Sequence, residues 1–488
     1  MSQIKIQNLT FCYEGSFDNI FENVSFVIDT DWKLGFTGRN GRGKTTFLNL
    51  LMGKYSYSGS IVADCSFDYF PYVIPDKTKM TIEIVEEIHP DYLYWELSRE
   101  LHLLDVDEEL LYRPFHTLSG GEQIKVLLAV LFLKENAFLL IDEPTNHLDT
   151  EGRKKVAAYL NRKKGFILVS HDRHFLDACV DHVLSINKAN IEIQKGNFTS
   201  WYQNKQLQDR YEIEKNEKLK KEIKRLTQTA REKSNWSDRV EATKIGTHQG
   251  DRGRIGHLAA KMMKRSKAIE VRKERQIDEK TKLLKNIETT ENLKIHGLSY
   301  HADRLAELKD VCCFYGQKQV CSHVSLLVRQ GERINISGKN GCGKSTVLKL
   351  ICGEDIGYIG EFYKAPNLKI SYVSQDTSDL KGSLDDYARC CNIDGTLFRS
   401  ILRKLDFARV QFEKDLLSLS EGQKKKILIA RSLSSQAHLY VWDEPLNFID
   451  VFSRMQIEEL ILAYRPTLLF VEHDEAFCEN IATGKINL

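Results

Sequence analysis

Two glycine-rich segments each carry a lysine followed by a hydroxyl side chain, a combination that suits phosphate binding. GRNGRGKT begins the first phosphate loop (residues 38–46), and GKNGCGKS begins the second phosphate loop (residues 338–346). Each follows a short apolar run and precedes a predicted helix, so backbone N–H groups and the helix N-terminus can surround an anion. The lysine is expected to reach the β- and γ-phosphates of a nucleotide, and the hydroxyl after it to bind Mg²⁺. The predicted nucleotide-binding residues are Gly38, Arg39, Asn40, Gly41, Arg42, Gly43, Lys44, Thr45 and Thr46, with Gly338, Lys339, Asn340, Gly341, Cys342, Gly343, Lys344, Ser345 and Thr346.

Acidic pairs follow two further apolar runs downstream of these loops. Asp142 with Glu143, and Asp443 with Glu444, each end such a run and stand before a proline. The aspartate is expected to lie beside the metal ion, and the glutamate to polarise an attacking water. An isolated Asp-Glu pair is usually part of a solvated loop, but this position after a buried run favours catalysis. The predicted chemistry is hydrolysis of a nucleoside triphosphate.

Two histidines and two tyrosines complete the candidate chemistry. His171 and His473 close another apolar run about 28 residues after each acidic pair. A lone histidine at a strand end is more often a capping or core residue, but its recurrence favours contact with the γ-phosphate. Tyr13 and Tyr315 occupy matching places near the start of each repeat, and both are predicted to stack on adenine. The alternative for the tyrosines is a core packing role.

All of these motifs occur twice, in one order. The phosphate loops are 300 residues apart, and the first signature (LSGGEQ, 118–123) and second signature (LSEGQK, 419–424) are 301 apart. The acidic pairs repeat at an offset of 301, and VSHD repeats as VEHD at 302. Such spacing predicts a duplicated domain. We call residues 1–200 the first copy and residues 291–488 the second copy.

Short apolar strands are predicted to position the motifs. Apolar runs that feed glycine loops and then helices indicate parallel β-α units, so each copy is predicted to be an α/β domain. The predicted strands are 33–37, 138–142 and 166–170 in the first copy, and 333–337, 439–443 and 468–472 in the second.

The segment between the copies differs in composition. Residues 201–290 contain no proline and hold 24 basic against 14 acidic residues, although the whole chain has a net charge of only +2. Apolar residues at helical spacing predict helices over 204–233 and 258–290, and four glycines predict a tip within 234–257. Each arm of this hairpin would reach about 40–50 Å. A basic hairpin suits a polyanionic partner such as RNA, and the alternative is a solvated coiled coil.

Cysteine usage and hydropathy exclude several classes of protein. The eleven cysteines are scattered without a C-x-x-C spacing, which predicts free thiols rather than a zinc site or a disulfide framework. The N-terminus has no signal-peptide core, and no run approaches the roughly 18 apolar residues that span a bilayer. We therefore expect a cytoplasmic protein without membrane segments.

The motifs LSGGEQ, DEPTNHLD and SHDRHFLD resemble those of the ATP-binding cassette superfamily, and the tandem pair with a charged linker is similar to its ABC-F branch. The resemblance implies two tandem α/β cassettes joined by a long α-helical hairpin, with ATP and Mg²⁺ as cofactors. It also implies a monomer whose cassettes pair head to tail, each signature completing the nucleotide site of the other copy. The residues implied are Ser119, Gly120 and Gly121 at the second phosphate loop, Ser420 and Gly422 at the first, and Gln375 beside the metal.

The sequence departs from the family pattern in three places. Tyr72 of FDYFPY stands where Gln375 stands in ISYVSQ, Glu421 replaces a signature glycine, and Phe448 replaces the usual histidine of DEPTNHLD. These changes make the two sites unequal. Because both keep lysine, aspartate, glutamate and histidine, we expect both to hydrolyse ATP.

Spacing narrows the resemblance further. Gly43 lies 76 residues before Ser119 and Gly343 lies 77 before Ser420, so neither copy carries an inserted arm. This compactness, FDYFPY and LSEGQKKK are similar to the Lsa-type antibiotic-resistance group. That resemblance implies a protein of the 70S ribosome whose linker enters the exit-tRNA site and contacts 23S rRNA and P-site tRNA. It would thereby protect the peptidyl-transferase centre from lincosamides, pleuromutilins and streptogramin A. The alternatives are a housekeeping ABC-F factor for stalled or idle ribosomes and the ATPase subunit of an exporter.

Overall fold

The structure is a computed structural model that describes residues 2–13, 19–146, 148–187, 190–242, 297–316 and 318–488. The chain divides into two compact units, one of Met1–Trp201 with Thr290–Leu488 and one of Tyr202–Thr289. Both copies therefore lie in one unit. In the described residues, no helix combines the length and the apolar character needed to cross a membrane.

Two sheets form the first copy. An antiparallel three-stranded sheet has the order β2-β1-β4, and a six-stranded sheet has the order β5-β6-β7-β3-β8-β9 with β9 as its antiparallel strand. The strands are β1 Gln3–Phe11, β2 Phe21–Asp29, β3 Lys33–Thr37, β4 Ser58–Val62, β5 Ser66–Phe70, β6 Ala137–Asp142, β7 Phe166–Val169, β8 His182–Asn187 and β9 Asn190–Lys195. The helices are α1 Lys44–Leu51, α2 Thr81–Ile88, α3 Tyr94–Leu103, α4 Gly120–Leu131, α5 Thr150–Asn161 and α6 Arg173–Cys179.

The second copy repeats this plan. Its antiparallel sheet has the order β11-β10-β13, and its parallel sheet has the order β14-β15-β16-β12-β17. The strands are β10 Arg304–Tyr315, β11 Lys318–Arg329, β12 Arg333–Ser337, β13 Gly357–Lys364, β14 Ile370–Val373, β15 Leu439–Asp443, β16 Leu468–Val471 and β17 Gly484–Asn487. After α7, which is described below, the helices are α8 Lys344–Cys352, α9 Leu384–Cys390, α10 Gly395–Lys404, α11 Glu421–Ser434, α12 Val451–Tyr464 and α13 Glu475–Ile481.

The predicted α/β class is confirmed, and the six predicted strands are present to within a residue at each end. Strands β7 and β16 are buried at all four positions, because helices or the second sheet cover both faces of a parallel sheet. Such strands are recognisable as continuous apolar runs. Parallel strands also place their carboxyl ends at one edge, so the loops that follow β3, β6 and β7 meet there.

The linker begins as one long helix, α7 (Phe198–Ala242), of 45 residues. It starts before the predicted 204–233 helix and continues through 234–242, a stretch predicted to belong to the tip. The reason is local, since no glycine or proline occurs between Gly196 and Gly246 to end the helix. The predicted second arm, 258–290, and the rest of the predicted tip lie outside the described residues.

Candidate functional site

Both phosphate loops close around their own lysine. In the first, the Lys44 ammonium donates to the carbonyl of Gly38 at 2.7 Å and approaches the Asn40 side-chain oxygen at 3.3 Å. In the second, Lys344 donates to the carbonyl of Gly338 at 2.9 Å. Both lysines are buried side chains that hydrogen-bond the rim of their loops, and burial lowers the pKa of Lys44. Each loop is therefore a compact cationic cradle at a helix N-terminus, which suits the phosphates of a nucleotide.

The tight turn into α1 depends on Gly43. This residue is the N-cap with φ of 96°, and a Cβ atom there would lie 2.5 Å from Ile20 Cγ2. The left-handed backbone and the close neighbour both require glycine. The equivalent residue of the second loop has the same φ of 96°.

A hydroxyl and a carboxylate meet beside each loop. Thr45 Oγ1 donates to Asp142 Oδ2 at 3.1 Å, and Tyr69, which the sequence reasoning missed, donates its hydroxyl to the same oxygen at 3.0 Å. Burial raises the pKa of Asp142, and these two hydroxyls oppose that rise. In the second copy burial likewise raises the pKa of Asp443, opposed by Ser345.

These oxygens fit Mg²⁺ in its usual setting. The ion prefers oxygen ligands and is commonly held by one or two protein groups plus substrate phosphates. Within the part of the chain that the structure describes, no group of three or more His, Cys, Asp or Glu side chains offers an all-protein metal cage. A hydroxyl and a carboxylate beside a phosphate loop match the sparse protein share of such a site.

The glutamates predicted to activate water have an unusual backbone. Glu143 and Glu444 adopt positive φ values of 49° and 46°, which non-glycine residues rarely do. Their N–H groups donate to carbonyls of the neighbouring strand, at 2.9 Å to Val169 and 3.0 Å to Val471. The sheet thus holds each glutamate in a strained conformation directly after its strand, as is common at active sites.

A histidine faces each of these glutamates. His171 Nε2 lies 3.3 Å from Glu143 Oε1, and His473 Nε2 lies 3.5 Å from Glu444 Oε1. Burial lowers the pKa of His171 well below its ordinary value, and nearby Lys44 lowers it further. A neutral imidazole at this position can accept or donate a hydrogen bond toward a γ-phosphate or its attacking water.

The two glutamates differ in their hydrogen-bond donors. Glu444 Oε2 accepts from Gln375 at 2.8 Å and from Asn447 at 2.7 Å. Burial raises the pKa of Glu444, but His473 and Asn447 outweigh it and leave the pKa below the ordinary value. Glu143 is buried beside Asp142, and these two causes raise its pKa to about 8.

Tyr72, which replaces the glutamine in the first copy, directs its hydroxyl toward Asp68 and not toward Glu143. Tyr72 donates its hydroxyl to Asp68, which also pairs with Lys134. In the second copy, the Gln375 that we predicted beside the metal has its amide nitrogen on Glu444, one residue beyond Asp443.

A cavity of about 780 Å³ joins the two copies. From the first copy it is lined by the signature residues Ser119, Gly120 and Gly121. Its lining from the second copy comprises Val320, Lys339, Asn340, Gly341, Gly343, Lys344, Ser345, Thr346, Gln375, Glu444, Asn447 and His473. The first signature therefore faces the second phosphate loop, in the head-to-tail sense expected of the family. We call this arrangement the Glu444 centre.

The second signature approaches the first phosphate loop, and we call that arrangement the Glu143 centre. Asn40 donates its side-chain amide to the carbonyl of Phe448 at 2.8 Å. A Cβ atom at Gly422 would lie 3.3 Å from the Asn40 amide nitrogen and 2.5 Å from the same carbonyl. Asp406 of the second copy also lies 3.8 Å from Arg39 and 4.0 Å from a nitrogen of the next loop arginine, Arg42.

Both signatures begin helices with the same cap. Ser119 caps α4 and Ser420 caps α11, each accepting from the backbone three residues on. Glu421, which replaces a glycine, accepts from Thr377 at 2.6 Å and from Lys424 at 3.0 Å. Its carboxylate thus pairs within its own copy and lies in the first turn of a helix, where negative charge is favourable.

The two predicted adenine-stacking tyrosines are both partly exposed, and Tyr13 contacts its phosphate loop. Tyr13 bonds its hydroxyl to Thr46 at 2.8 Å and packs edge-on against Phe11. It is 41% exposed, and Tyr315 at the end of β10 is 51% exposed. Their exposure is compatible with stacking, which stays a prediction. Cys342 is a free, half-buried thiol.

Both copies of the chain match a known protein family. Residues 21–146 and 321–447 both match the ABC transporter family, so the chain belongs to that family and is an ATPase. Its relatives along the full length place it in the ABC-F branch. The ribosome protection protein VmlR of Bacillus subtilis is 27% identical, covering 97% of this chain and 85% of VmlR.

Other relatives span the chain equally. The ATP-binding protein Uup of Buchnera aphidicola is 27% identical, with 99% of this chain and 80% of Uup covered. Among solved structures, the archaeal ribosome recycling factor aABCE1, in complex with the ribosomal stalk protein aP1, has a TM-score of 0.64 at 19% identity. That match covers 98% of this chain and 87% of the other, and it shows that the tandem α/β fold is shared.

Proposed function

We propose that this protein is an ABC-F ATPase that binds the ribosome and protects it from antibiotics at the peptidyl-transferase centre. The observation that carries the proposal is full-length similarity to a ribosome protection protein, with an ATP-site cavity built from both copies. The linker would enter the exit-tRNA site and approach 23S rRNA and P-site tRNA. Lincosamides, pleuromutilins and streptogramin A are the proposed drugs.

The site residues have distinct proposed roles in ATP hydrolysis. Lys44 and Lys344 bind the β- and γ-phosphates, and the hydroxyl and carboxylate beside each loop hold Mg²⁺. Glu143 and Glu444 orient and polarise the attacking water, while the neighbouring histidines contact the γ-phosphate. Magnesium would supply charge neutralisation of the phosphates when bound.

ATP controls the pairing of the copies in this proposal. Each signature serine, which caps the N-terminus of its helix, would bind the γ-phosphate held by the other copy. A bound nucleotide therefore stabilises the paired form, and loss of the γ-phosphate removes that contact. The linker, which begins with α7 at the end of the first copy, would enter and leave the ribosome in step with this cycle.

The ribosome assignment is tested with a protein that binds ATP without cleaving it. The Glu143→Gln and Glu444→Gln double variant should co-sediment with 70S ribosomes in the presence of ATP. The matched control, Lys44→Ala with Lys344→Ala, should stay in the supernatant because neither loop retains its phosphate-binding ammonium. If the first variant does not co-sediment, the protein does not act as an ATP-dependent ribosome-binding factor.

A housekeeping ABC-F role is the second candidate, favoured by equal identity to the ATP-binding protein Uup. Expression in a drug-sensitive bacterium separates the two. If the protein protects the ribosome, the wild type should raise the inhibitory concentrations of lincomycin and tiamulin. The Glu143→Gln and Glu444→Gln double variant should not raise either concentration. Unchanged inhibitory concentrations for both drugs would favour the housekeeping role.

A further inference from the structure

A lysine and a glutamate are buried behind Glu444 in the second copy alone. Lys425 is 2% exposed and Glu472 is 5% exposed. At the same places in the first copy stand Ile124, in the first signature, and Ser170, in VSHD. The duplicated fold therefore tolerates uncharged residues at both places, and the pair distinguishes the Glu444 centre from the Glu143 centre.

Lys425 connects the signature helix to two catalytic segments. It lies on α11, five residues after Ser420, and its ammonium donates to the carbonyl of Ser374 at 3.0 Å. The same ammonium donates to the carbonyl of Glu444 at 3.3 Å. Ser374 directly precedes Gln375 in the chain. The Lys425 side chain therefore binds the backbone next to Gln375 and the backbone of Glu444, the two residues that hydrogen-bond each other.

Glu472 connects two further segments of the same centre. Its Oε1 accepts the N–H of Leu446 at 2.7 Å, and its Oε2 accepts the N–H of His473 at 3.1 Å. One carboxylate therefore fixes the backbone two residues after Glu444 and the backbone of the histidine that faces it. In the first copy, the Ser170 hydroxyl accepts from the N–H of Asp172 at 3.2 Å and pairs with the hydroxyl of Thr145 at 3.3 Å, but it carries no charge.

The electrostatics show why the two charges occur together. Burial lowers the pKa of Lys425, and the strongest opposing effect is the charge of Glu472. Burial raises the pKa of Glu472, opposed most by Arg454 and then by the hydrogen bond from Leu446. Buried charges are retained only when they are paired and hydrogen-bonded, and both conditions are met here.

We propose that Lys425 and Glu472 are positioning residues for ATP hydrolysis at the Glu444 centre. Neither side chain is among the residues that line the nucleotide cavity, and both act by fixing the backbones that carry Gln375, Glu444 and His473. The Glu143 centre lacks this pair. The inference rests on the proposed role of Glu444 as the residue that polarises water.

The test isolates one centre at a time. In a Glu143→Gln background only the Glu444 centre turns over, and there the Lys425→Ile and Glu472→Ser double variant reproduces the residues of the first copy. We expect kcat to fall about ten- to a hundredfold, because residues that orient catalytic groups without contacting the substrate typically contribute factors of this size. KM for ATP should change by less than about threefold, because the pair does not contact nucleotide. Lys425→Arg, which can still donate to both carbonyls, should recover most of the rate.

The matched control is the same double variant in a Glu444→Gln background, which reports the Glu143 centre and should keep its rate. Equal losses in both backgrounds, or an unchanged kcat in the first, would overturn the proposal. Where the double variant does not fold, Glu472→Gln gives the same comparison, since an amide cannot accept both N–H groups on its two terminal atoms. Residual turnover in the Glu143→Gln and Glu444→Gln enzyme would instead refute the assigned role of the glutamates.

Discussion

Individual side chains make the two ATP centres unequal although their motifs match. Glu444 receives amide hydrogen bonds from Gln375 and Asn447, whereas Tyr72 in the place of the glutamine turns to Asp68. A tyrosine accompanies the predicted metal-binding carboxylate in both copies, since Tyr69 donates to Asp142 and Tyr372 interacts with Asp443. The hydrogen bonds to the predicted water-activating glutamate are therefore what differ between the two centres.

The role of Tyr69 can be measured through magnesium. In a Glu444→Gln background, Tyr69→Phe should raise the Mg²⁺ concentration for half-maximal ATP hydrolysis about tenfold, because a partner that orients a metal ligand is lost. The control is Tyr72→Phe, whose hydroxyl contacts Asp68 and should leave the magnesium dependence unaltered. Identical magnesium curves for both variants and the parent would contradict the assignment.

At the scale of elements, strand ends and helix starts position the chemistry. The acidic pairs follow β6 and β15, and the histidines follow β7 and β16, so the parallel sheet brings them to one edge. Signature serines cap α4 and α11, and glycine caps start α1 and α8. Each functional group therefore lies at a junction that local sequence specifies.

The glycine junction at α1 gives a prediction at this scale. Gly43→Ala should weaken ATP binding at the first phosphate loop at least about tenfold. The new Cβ atom would lie 2.5 Å from Ile20 Cγ2, and alanine would have to adopt a φ of 96°. Positive φ alone costs about 1–2 kcal/mol. Binding of a fluorescent ATP analogue in a Lys344→Ala background measures the first loop alone.

Gly41→Ala separates crowding from backbone strain. Gly41 lies in the same loop with φ of 81°, and its Cβ would meet no atom within 4 Å. Its substitution should therefore weaken binding less than Gly43→Ala. If the two substitutions weaken binding equally, contact with Ile20 is not what requires glycine at the start of α1.

Across the whole molecule, charged side chains also join the two copies. Arg173 pairs with Glu458 at 2.5 Å, both largely buried, while Lys154 pairs with Glu475 at 2.7 Å on a more exposed surface. Arg153 also donates to the carbonyl of His473 at 3.2 Å. The two copies are therefore joined by ion pairs and by a hydrogen bond from a charged side chain.

The buried ion pair should matter more than the exposed one. Arg173→Ala leaves Glu458 uncompensated at 10% exposure, at a cost of about 3–5 kcal/mol, and should lower ATPase activity at both centres. Lys154→Ala removes a pair of 67% and 31% exposure, which contributes about 0–1 kcal/mol. Steady-state ATPase and the distance between fluorophores on the two copies would measure both effects. Equal behaviour of the variants would exclude a specific role for Arg173.

The duplication, the α/β class, the buried strands and both phosphate loops could be predicted from the sequence. These features are local, since apolar runs, glycines and capping residues act on their own neighbours. The predicted helix 204–233 is shorter than α7, which spans Phe198–Ala242. The absence of glycine and proline up to Ala242 indicates the longer helix better than the spacing of apolar residues does.

The contacts between distant side chains could not be predicted from the sequence. Gln375 and Glu444 are 69 residues apart, Tyr69 and Asp142 are 73 apart, and Asn40 and Phe448 are 408 apart. Such pairs depend on how strands and copies pack, and no local pattern specifies them. The same packing buries Lys425, one of three consecutive lysines, against the backbone carbonyl of Glu444. A buried polar group must hydrogen-bond to a group buried beside it, and the sequence does not show which groups are buried together.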